Sequence, residues 1–334
     1  TGNPQAPSES PGTLAVDAPQ AQSRKGTATG ALERSAELHL SSSLVSLHLF
    51  ISPMDLSIII VHTFEKRLVR QTLRGIRRAA PRLHYEVIVV DNNPDAGMHD
   101  VLKRDFSDVR YAMMDENRGF GAAMNKGFAT ATGKYILVFN PDIVVKPGSL
   151  ESLYDFMEAN PGVGIVGPRL QNPDGTLQHS CYRFHERMTP VYRRTPLGKL
   201  SQGKAAIDRF LMADFDHSRQ EDVDWVMGSA MFTRRSALDA VGVFDDNIFM
   251  YFEDTDLCRR FWEAGHRVVY NPNVSMVHYH RRASGDGSLL RQLFSRMTRH
   301  HIRSAIYYFR KYASKQNPRA EFFAKRDAAA GTIA

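Results

Sequence analysis

Two carboxylates in this sequence follow apolar stretches at the points where those stretches stop. Asp91 comes after residues 86–90, and Asp142 closes the tripeptide Asn-Pro-Asp at 140–142, after residues 135–139. If both stretches are parallel strands of one sheet, their carboxyl ends meet at one rim, where open α/β sheets bind ligands. There the acids could accept hydrogen bonds from a base or ribose, or hold a divalent cation that bridges a diphosphate. The alternative for residues 140–142 is an ordinary turn.

A third acidic group lies later in the chain, at residues 253–256, directly after an aromatic stretch at 249–252. Burial of a carboxyl group beside apolar rings raises its pKa, which suits a general base. Glu253 and Asp254 fit that role. Asp256 fits the alternative better, in which an acid at the start of a helix interacts favourably with the helix dipole.

Two histidines and two glycines also have a chemical interpretation. His278 and His280 share one face of a predicted strand because strand side chains alternate. They could ligate a metal together with a carboxylate, or they could be structural. Gly119 and Gly121 open a predicted helix, which suits the approach of a phosphate or ribose but also close helix packing. The residues themselves leave both pairs open.

The chain that must position these residues alternates strand and helix patterns from residue 56 onward. The predicted strands are 56–61, 86–90, 109–114, 135–139, 163–166, 224–232, 267–270 and 274–279. The predicted helices are 68–80, 101–106, 119–132, 149–159, 235–241, one that ends at 264, and 289–312. This alternation predicts an α/β fold with a mostly parallel central sheet flanked by helices and a C-terminal helical tail.

Composition restricts the class of protein. The 334 residues are 43% hydrophobic, enough for a large core, and two cysteines are too few for a disulfide scaffold, which favours a reducing compartment. No stretch reaches the roughly 18 apolar residues of a membrane span. The net charge of +7 predicts an anionic partner such as a nucleotide or a phospholipid surface. No nucleic-acid-binding motif is present, so we expect no nucleic acid partner.

The two ends of the chain differ from its middle. Residues 1–53 are rich in Pro, Ser, Gly, Ala and Gln, so we expect them to be disordered or non-native, with Met54 as a hypothetical natural start. The tail, 286–334, predicts a basic amphipathic helix, since residues 281–326 hold twelve Lys or Arg against two acids. Such a helix can pack on the domain or lie on an anionic membrane surface, and we expect a mixture of both.

Seven motifs, taken in order, resemble the family-two inverting glycosyltransferases of the GT-A fold, and within them the rhamnosyltransferase-like branch. The resemblance covers about residues 55–285, and we expect one domain at 54–285. The motifs are IIIVH at 58–62, VIVVDNN at 87–93, ENRGFGAAMNKGF at 116–128, LVFNPD at 137–142, DWVMGSAMFTRR at 224–235, FMYFEDTDLCRR at 249–260 and VHYH at 277–280.

The resemblance implies a role for each matching residue. Asp254 is expected to be the catalytic base, with Glu253 as the second catalytic acid beside it. Asp142 and His278 are expected to bind Mg²⁺ or Mn²⁺, with Asn140 standing where the family has the first acid of its metal motif. The residues expected to bind the nucleotide sugar are His62, Asp91, Asn93, Asn117, Gly119, Asn125, Asn140 and Asp142, and those expected at the acceptor are Trp225, Gly228 and Glu253.

The resemblance also implies the reaction. The expected activity is transfer of L-rhamnose from dTDP-L-rhamnose to a glycan or polyprenyl-diphosphate-linked acceptor in cell-envelope polysaccharide synthesis, at the cytoplasmic face of the membrane. The alternatives are a UDP-hexose or UDP-HexNAc donor, or a non-catalytic nucleotide- or glycan-binding domain. The irregular, basic segment at 170–222 is expected to cover the ligand edge of the sheet and to determine the acceptor.

Overall fold

The computed structural model describes residues 53–93, 97–279 and 295–331. The predicted N-terminal extension, except for its last residue, lies outside these ranges. So do His280 and residues 289–294 of the predicted tail helix. In the described ranges the chain forms a ten-stranded sheet, a separate two-stranded sheet and flanking helices.

The strands and helices follow the apolar periodicities of the sequence. In chain order the strands are β1 (Leu56–His62), β2 (Tyr85–Asp91), β3 (Arg110–Met113), β4 (Tyr135–Phe139), β5 (Ile143–Val144), β6 (Val163–Gln171), β7 (Leu177–Gln178), β8 (Cys181–Tyr182), β9 (Glu221–Asp222), β10 (Trp225–Val226), β11 (Ala230–Arg234) and β12 (Arg267–His278). The helices are α1 (Lys66–Ala79), α2 (Met98–Asp105), α3 (Phe120–Phe128), α4 (Ser149–Ala159), α5 (Thr189–Tyr192), α6 (Ser201–Phe210), α7 (Arg235–Val241), α8 (Glu253–Glu263), α9 (Arg296–Lys311) and α10 (Pro318–Gly331).

The central sheet is mixed, with parallel strands at one end and antiparallel insertions at the other. Its order is β3-β2-β1-β4-β11-β6-β12-β5. β1 pairs in parallel with β2 and β4, and β2 with β3, so the carboxyl ends of β2 and β4 meet at one edge as predicted. β11 runs antiparallel to both β4 and β6, whereas β6 and β12 are parallel. The predicted α/β sheet flanked by helices is confirmed.

Both faces of the sheet are covered by helices. In β1, Ile58 and Ile60 pack with residues of α1, α2 and α4, while Ile59 and Val61 pack with residues of α3, α7 and α8. Every position of β1 and β4 is buried. A strand with two buried faces has a continuous apolar run, and this is the pattern that indicated both strands in the sequence.

Two of the predicted strand assignments were wrong in detail. The predicted strand at 224–232 is interrupted by a turn at 227–229, so that β10 pairs with β8 in the small sheet and β11 joins the central sheet. The predicted strands at 267–270 and 274–279 form a single strand, β12, with a register shift between Asn271 and Ser275. One apolar run in the sequence thus contains two strands that pair with different partners, and the local sequence pattern does not reveal those partners.

The two C-terminal helices pack on the domain. Tyr308 and Tyr312 of the α9 region form a small core with Ile248 and Phe252, and the phenylalanines of α10 pack against Trp262. The outer face of α9 remains exposed and carries arginines together with two isoleucines: Arg296, Arg299, Ile302, Arg303, Ile306 and Arg310. None of the helices in the described ranges is long and apolar enough to cross a bilayer.

Candidate active site

Asp91, at the end of β2, is fully buried and has partners at both carboxylate oxygens. Its Oδ1 lies 2.8 Å from Nδ1 of His62, which β1 places opposite in register, and accepts the backbone N–H of Asn93 at 3.1 Å. Its Oδ2 accepts the hydroxyl of Tyr111 at 3.1 Å. Burial and the Asp91 carboxylate raise the pKa of Tyr111 to about 12, so the phenol stays protonated and donates at neutral pH.

Asn92 links the end of β2 to the start of α3. Its side-chain N–H groups donate to Oδ1 of Asn117 at 3.0 Å and to the carbonyl of Gly119 at 3.3 Å. The same Asn117 oxygen accepts the Gly119 N–H at 3.1 Å. These contacts gather five predicted nucleotide-binding residues at one edge: His62, Asp91, Asn93, Asn117 and Gly119. Asn92 itself was not predicted, although its place directly after Asp91 was an available signal.

The backbone conformation and close packing at position 119 require a glycine. Its φ is +96°, and a Cβ at this position would lie 2.0 Å from the carbonyl oxygen of Phe249. That carbonyl accepts the backbone N–H of Phe120 at 3.1 Å. The close approach of the two backbones therefore requires glycine.

Asn125 uses its side chain to fix a loop. Its amide N–H groups donate to the carbonyl of Phe244 at 2.9 Å and to Asp246 at 2.8 Å, and its oxygen accepts the Phe244 N–H at 3.0 Å. These bonds tie the 244–246 loop to α3. A contact between Asn125 and the nucleotide stays a prediction.

Asp142 and His278 lie against each other at the same edge. The Oδ1 atom of Asp142 is 3.1 Å from Nε2 of His278, whose Nδ1 lies 2.6 Å from the side-chain oxygen of Gln178. Pairing of β12 with β5, and the Tyr279 N–H that donates to the Asp142 carbonyl at 2.8 Å, bring the two residues together. Gln178 was missed in the sequence because only the pairing of β7 with β6 brings it here.

The donor types at this position fit a hard divalent cation. Mg²⁺ and Mn²⁺ accept carboxylate oxygens, and Mn²⁺ also accepts imidazole nitrogen. If the Gln178 oxygen accepts the Nδ1 proton, Nε2 is the atom of His278 that would ligate a cation beside the Asp142 carboxylate. No group of three or more His, Cys, Asp or Glu side chains suited to a metal occurs in the described part of the chain. Within the described residues, a cation at Asp142 and His278 would therefore need further ligands of another kind, such as the phosphate oxygens of a bound nucleotide.

Asn140 connects this edge to the interrupted strand. Its backbone N–H donates to the carbonyl of Ser229 at 2.8 Å. The end of β4 is thus joined to the turn at 227–229, which contains Gly228 and leads to the third predicted group, at the start of α8.

Asp254, in the first turn of α8, is held by backbone N–H groups. Its Oδ2 accepts the N–H of Gly228 at 3.0 Å, and its Oδ1 accepts the N–H of Thr255 at 2.8 Å. A Cβ on Gly228 would lie 3.2 Å from the Cβ of Asp254, so the turn and the acid are in direct contact. Burial raises the pKa of Asp254, although the two N–H groups oppose the shift. A fixed carboxylate with a raised pKa suits a general base.

Glu253, the adjacent acid, has different surroundings. It is 8% exposed, and its Oε2 atom has no hydrogen-bond partner within the described ranges. Burial and the neighbouring Asp254 raise the pKa of Glu253 well above its ordinary value, which favours its protonated form. Adjacent acids whose surroundings differ in this way can take different roles.

The two residues before this pair have a left-handed backbone conformation, which contacts with neighbouring groups stabilise. Tyr251 and Phe252 both have φ of +66°, which is uncommon for non-glycine residues. The Ser304 hydroxyl of α9 donates to the carbonyl of Met250 at 2.9 Å, and the Tyr308 ring packs on Phe252 with centroids 5.2 Å apart. Helix α9 therefore supports the segment that carries Asp254.

Trp225, a predicted acceptor residue, is buried in an aromatic stack. Its ring lies 4.4 Å from that of Tyr182 between centroids, and its indole N–H donates to the carbonyl of Arg183 at 2.9 Å. Trp225 thus packs the small sheet in this structure, and a contact with an acceptor stays a prediction.

The mixed sheet with its flanking helices is the GT-A fold. A crystal structure of GalNAc-T7 with UDP, GalNAc and Mn²⁺ is similar with a TM-score of 0.53 and 14% identity, over 73% of this chain and 48% of that one. That likeness shows the fold alone. The chain belongs to glycosyl transferase family 2, whose family model matches residues 57–242, more than half of the chain.

Several relatives are similar over most of the domain. An N-acetylglucosaminyl-diphospho-decaprenol L-rhamnosyltransferase of Mycobacterium tuberculosis is 27% identical over 240 residues, which are 66% of this chain and 73% of the relative. Rhamnosyltransferase WbbL of Escherichia coli K12 is 28% identical over 262 residues, 75% of this chain and 91% of the relative. A pre-mycofactocin glycosyltransferase of Mycobacterium tuberculosis is 30% identical over 226 residues, 64% of this chain and 42% of the relative.

Proposed function

We propose that this protein is an inverting glycosyltransferase in which Asp254 is the general base. Asp254 takes the proton of an acceptor hydroxyl while that oxygen attacks the anomeric carbon of a nucleotide sugar from the face opposite the diphosphate. The new glycosidic bond forms as the bond to the diphosphate breaks, and the diphosphate leaves with the bonding electrons. The observation that carries this proposal is Asp254 itself, a carboxylate with a raised pKa fixed by the N–H of Gly228.

The donor is proposed to bind along the edge formed by the ends of β2 and β4. Asp91, Asn93 and Asn117 would meet the nucleoside, and Asp142 with His278 would hold Mg²⁺ or Mn²⁺. A cation held there supplies positive charge for the departing diphosphate. L-Rhamnose from dTDP-L-rhamnose is the proposed sugar, since two of the relatives are named as rhamnosyltransferases. A UDP-hexose or UDP-HexNAc donor is the alternative.

The acceptor is proposed to be a glycan or a polyprenyl-diphosphate-linked saccharide of the cell envelope, met at the cytoplasmic face of the membrane. The name of the mycobacterial relative supports a lipid-linked acceptor. The exposed arginines and isoleucines of α9 support peripheral contact with an anionic lipid surface, because such a surface attracts cationic side chains and accommodates apolar ones.

A panel of nucleotide sugars tests this function. The purified chain is incubated with dTDP-L-rhamnose, UDP-glucose and UDP-N-acetylglucosamine, each with Mn²⁺, Mg²⁺ or a chelator, and the release of nucleoside diphosphate is followed. We expect release from one donor, strongest with a metal present. Preference for a UDP sugar would select the alternative donor.

A non-catalytic nucleotide- or glycan-binding domain is the competing function from another class. Glu253 is buried with one carboxylate oxygen unpartnered in the described part of the chain, and the fixed Asp254 lies beside it. This arrangement disfavours a binding domain, because placing two acids with raised pKa values side by side costs stability without helping to bind a ligand. Binding of a nucleotide sugar without any release or transfer, under every metal tested, would establish the binding domain instead.

A further inference from the structure

A second cleft opens beside α8, formed by the irregular segment that the sequence did not explain. It has a volume of about 850 Å³ and lies between residues 183–189, helix α6, Arg259 of α8 and Asn317. None of Asp91, Asp142, Asp254 and His278 lines it.

Three residues that line this cleft contain a buried polar atom without a partner in the described ranges. Thr189 and Asp224 are each only 1% exposed. Counting the described residues only, Oγ1 of Thr189, Oδ1 of Asp224 and Nδ1 of His185 have no hydrogen-bond partner. A buried polar atom left unpaired is costly, so three of them around one cleft call for a ligand that supplies hydrogen bonds.

The two carboxylate oxygens of Asp224 differ in their hydrogen-bond partners. Its Oδ2 accepts the Phe184 N–H at 2.8 Å and an Asn317 amide N–H at 3.2 Å. The cations nearest to its Oδ1 are Arg319 at 3.8 Å and Arg183 at 4.0 Å, beyond hydrogen-bond distance. The described residues therefore satisfy one oxygen with hydrogen bonds and not the other, and a ligand hydroxyl would supply the missing hydrogen bond.

The charges and rings around the cleft favour a neutral ligand with apolar and polar faces. Three arginines and four acids line it, so the local charge gives no preference for a diphosphate. The rings of Phe184, His185 and Phe210 also line it. Aromatic rings with a few placed hydrogen-bonding groups are the lining that orients a small ligand, and a sugar presents hydroxyls around an apolar ring face.

The cleft lies near the proposed base. Asp224 precedes Gly228 by four residues, at most about 13 Å in an extended strand. Asp254 and Arg259 are five residues apart on α8, about 7.5 Å along its axis. Residues that line the cleft therefore lie within the length of a short oligosaccharide from Asp254, and an acceptor of a few sugars is long enough to extend from the base to the cleft.

We propose that this cleft is a carbohydrate subsite that binds a neutral sugar residue of the acceptor, through the Thr189 hydroxyl, the Asp224 carboxylate and His185. The identification of this sugar as part of the acceptor rests on the proposed function. Binding of a sugar in the cleft can be measured without any transfer.

Two threonine substitutions form a matched test. Thr189→Val and Thr233→Val each remove a hydroxyl that is buried and unpartnered within the described ranges, but only Thr189 lines the cleft. Neither change should lower the melting temperature, because an unpaired buried hydroxyl does not stabilise the fold. Binding of free rhamnose, galactose, glucose, mannose and N-acetylglucosamine to the full chain is measured by saturation-transfer NMR, without nucleotide sugar.

We expect at least one of these sugars to bind, about 10-fold more weakly to Thr189→Val and with unchanged affinity to Thr233→Val. Asp224→Asn, which keeps the size of the side chain, should weaken binding similarly. No binding by the wild type, or equal binding by both threonine variants, would mean that water alone fills the cleft and would overturn the proposal. Failure of glycosyl transfer would leave this binding result intact and would overturn the proposed function alone.

Discussion

At the scale of single residues, Glu253 and Asp254 show how adjacent acids acquire different properties. Asp254 accepts two backbone N–H groups, whereas Glu253 is buried with one oxygen unpartnered in the described part of the chain. The sequence indicated the pair through its place between aromatic residues and a helix. It could not indicate Gly228 as the donor to Asp254, because that contact joins residues 26 positions apart through a turn hidden in an apolar run.

Glu253→Gln is expected to increase the free energy of unfolding at neutral pH. The folded-state pKa of Glu253 is raised above 4.5, so the stability linked to its proton is fully present below pH 4.5 and is lost as the pH rises through the folded-state pKa. Glutamine keeps the neutral shape and should remove this loss, a gain on the order of 1 kcal/mol. Urea unfolding from roughly pH 4 to pH 8 measures it. Parallel pH profiles for the two proteins would contradict the assignment.

Residue-level contacts at the edge formed by the ends of β2 and β4 were predicted only in part. Asp91 and Asp142 follow from their places at strand ends, which the sequence shows. The partners Tyr111 and Gln178 lie on neighbouring strands, and only the register brings them to Asp91 and His278. Register is a non-local property, so single-sequence periodicity does not contain it.

At the scale of elements, the site depends on contacts between helices, turns and loops that are distant in the sequence. The start of α3 meets Phe249, the turn at 227–229 meets α8, and α9 supports Tyr251 and Phe252. The strands and most helices could be predicted because their apolar periods are local. The interrupted strand and the two left-handed residues could not, because their causes are contacts with distant parts of the chain.

Gly119→Ala is expected to destabilise the protein by about 3 kcal/mol, because its Cβ would overlap the Phe249 carbonyl and force two backbones apart. Gly148→Ala is the matched control: φ is +79° there, but no atom lies within 4 Å of the added Cβ. It should cost only about 1 kcal/mol of backbone strain. Chemical denaturation measures both, and equal losses would mean that the contact with Phe249 is unimportant.

Lys311→Met is expected to destabilise the protein by about 2 kcal/mol and to lower the transfer rate. Lys311 bridges Asp245 at 2.7 Å and the fully buried Asp256 at 2.6 Å, and so fastens α9 to the segment around Asp254. Removing it leaves buried carboxylate with less compensation. Lys315→Met is the control, since its side chain is 53% exposed and its ion pair with Glu263 should contribute under about 1 kcal/mol. Similar losses in both variants would contradict a supporting role for α9.

At the scale of the whole molecule, charge and exposed apolar groups meet on α9. The net charge of +7 was visible in the sequence, but its distribution required the fold. One face of the helix packs under the segment that carries Asp254, and the other presents arginines and isoleucines. Contact of that outer face with a membrane stays a prediction.

Replacing both Ile302 and Ile306 with serine is expected to reduce co-sedimentation with phosphatidylglycerol vesicles several-fold, since each loses apolar area that a membrane would bury. These side chains are 46% and 48% exposed, so folding should be unaffected. Val243→Ser, at a position 42% exposed outside α9, is the control. Unchanged pelleting of the double variant would exclude α9 as the membrane-facing surface.

The most direct test of the central claim compares the wild type with Asp254→Asn in the release of nucleoside diphosphate from the preferred nucleotide sugar, with acceptor and Mn²⁺ present. Asparagine keeps the shape of Asp254 but cannot take a proton, so we predict a rate lower by roughly 10²- to 10⁴-fold with donor affinity little changed. An Asp254→Asn variant that transfers sugar at the wild-type rate would contradict the assignment of Asp254 as the base.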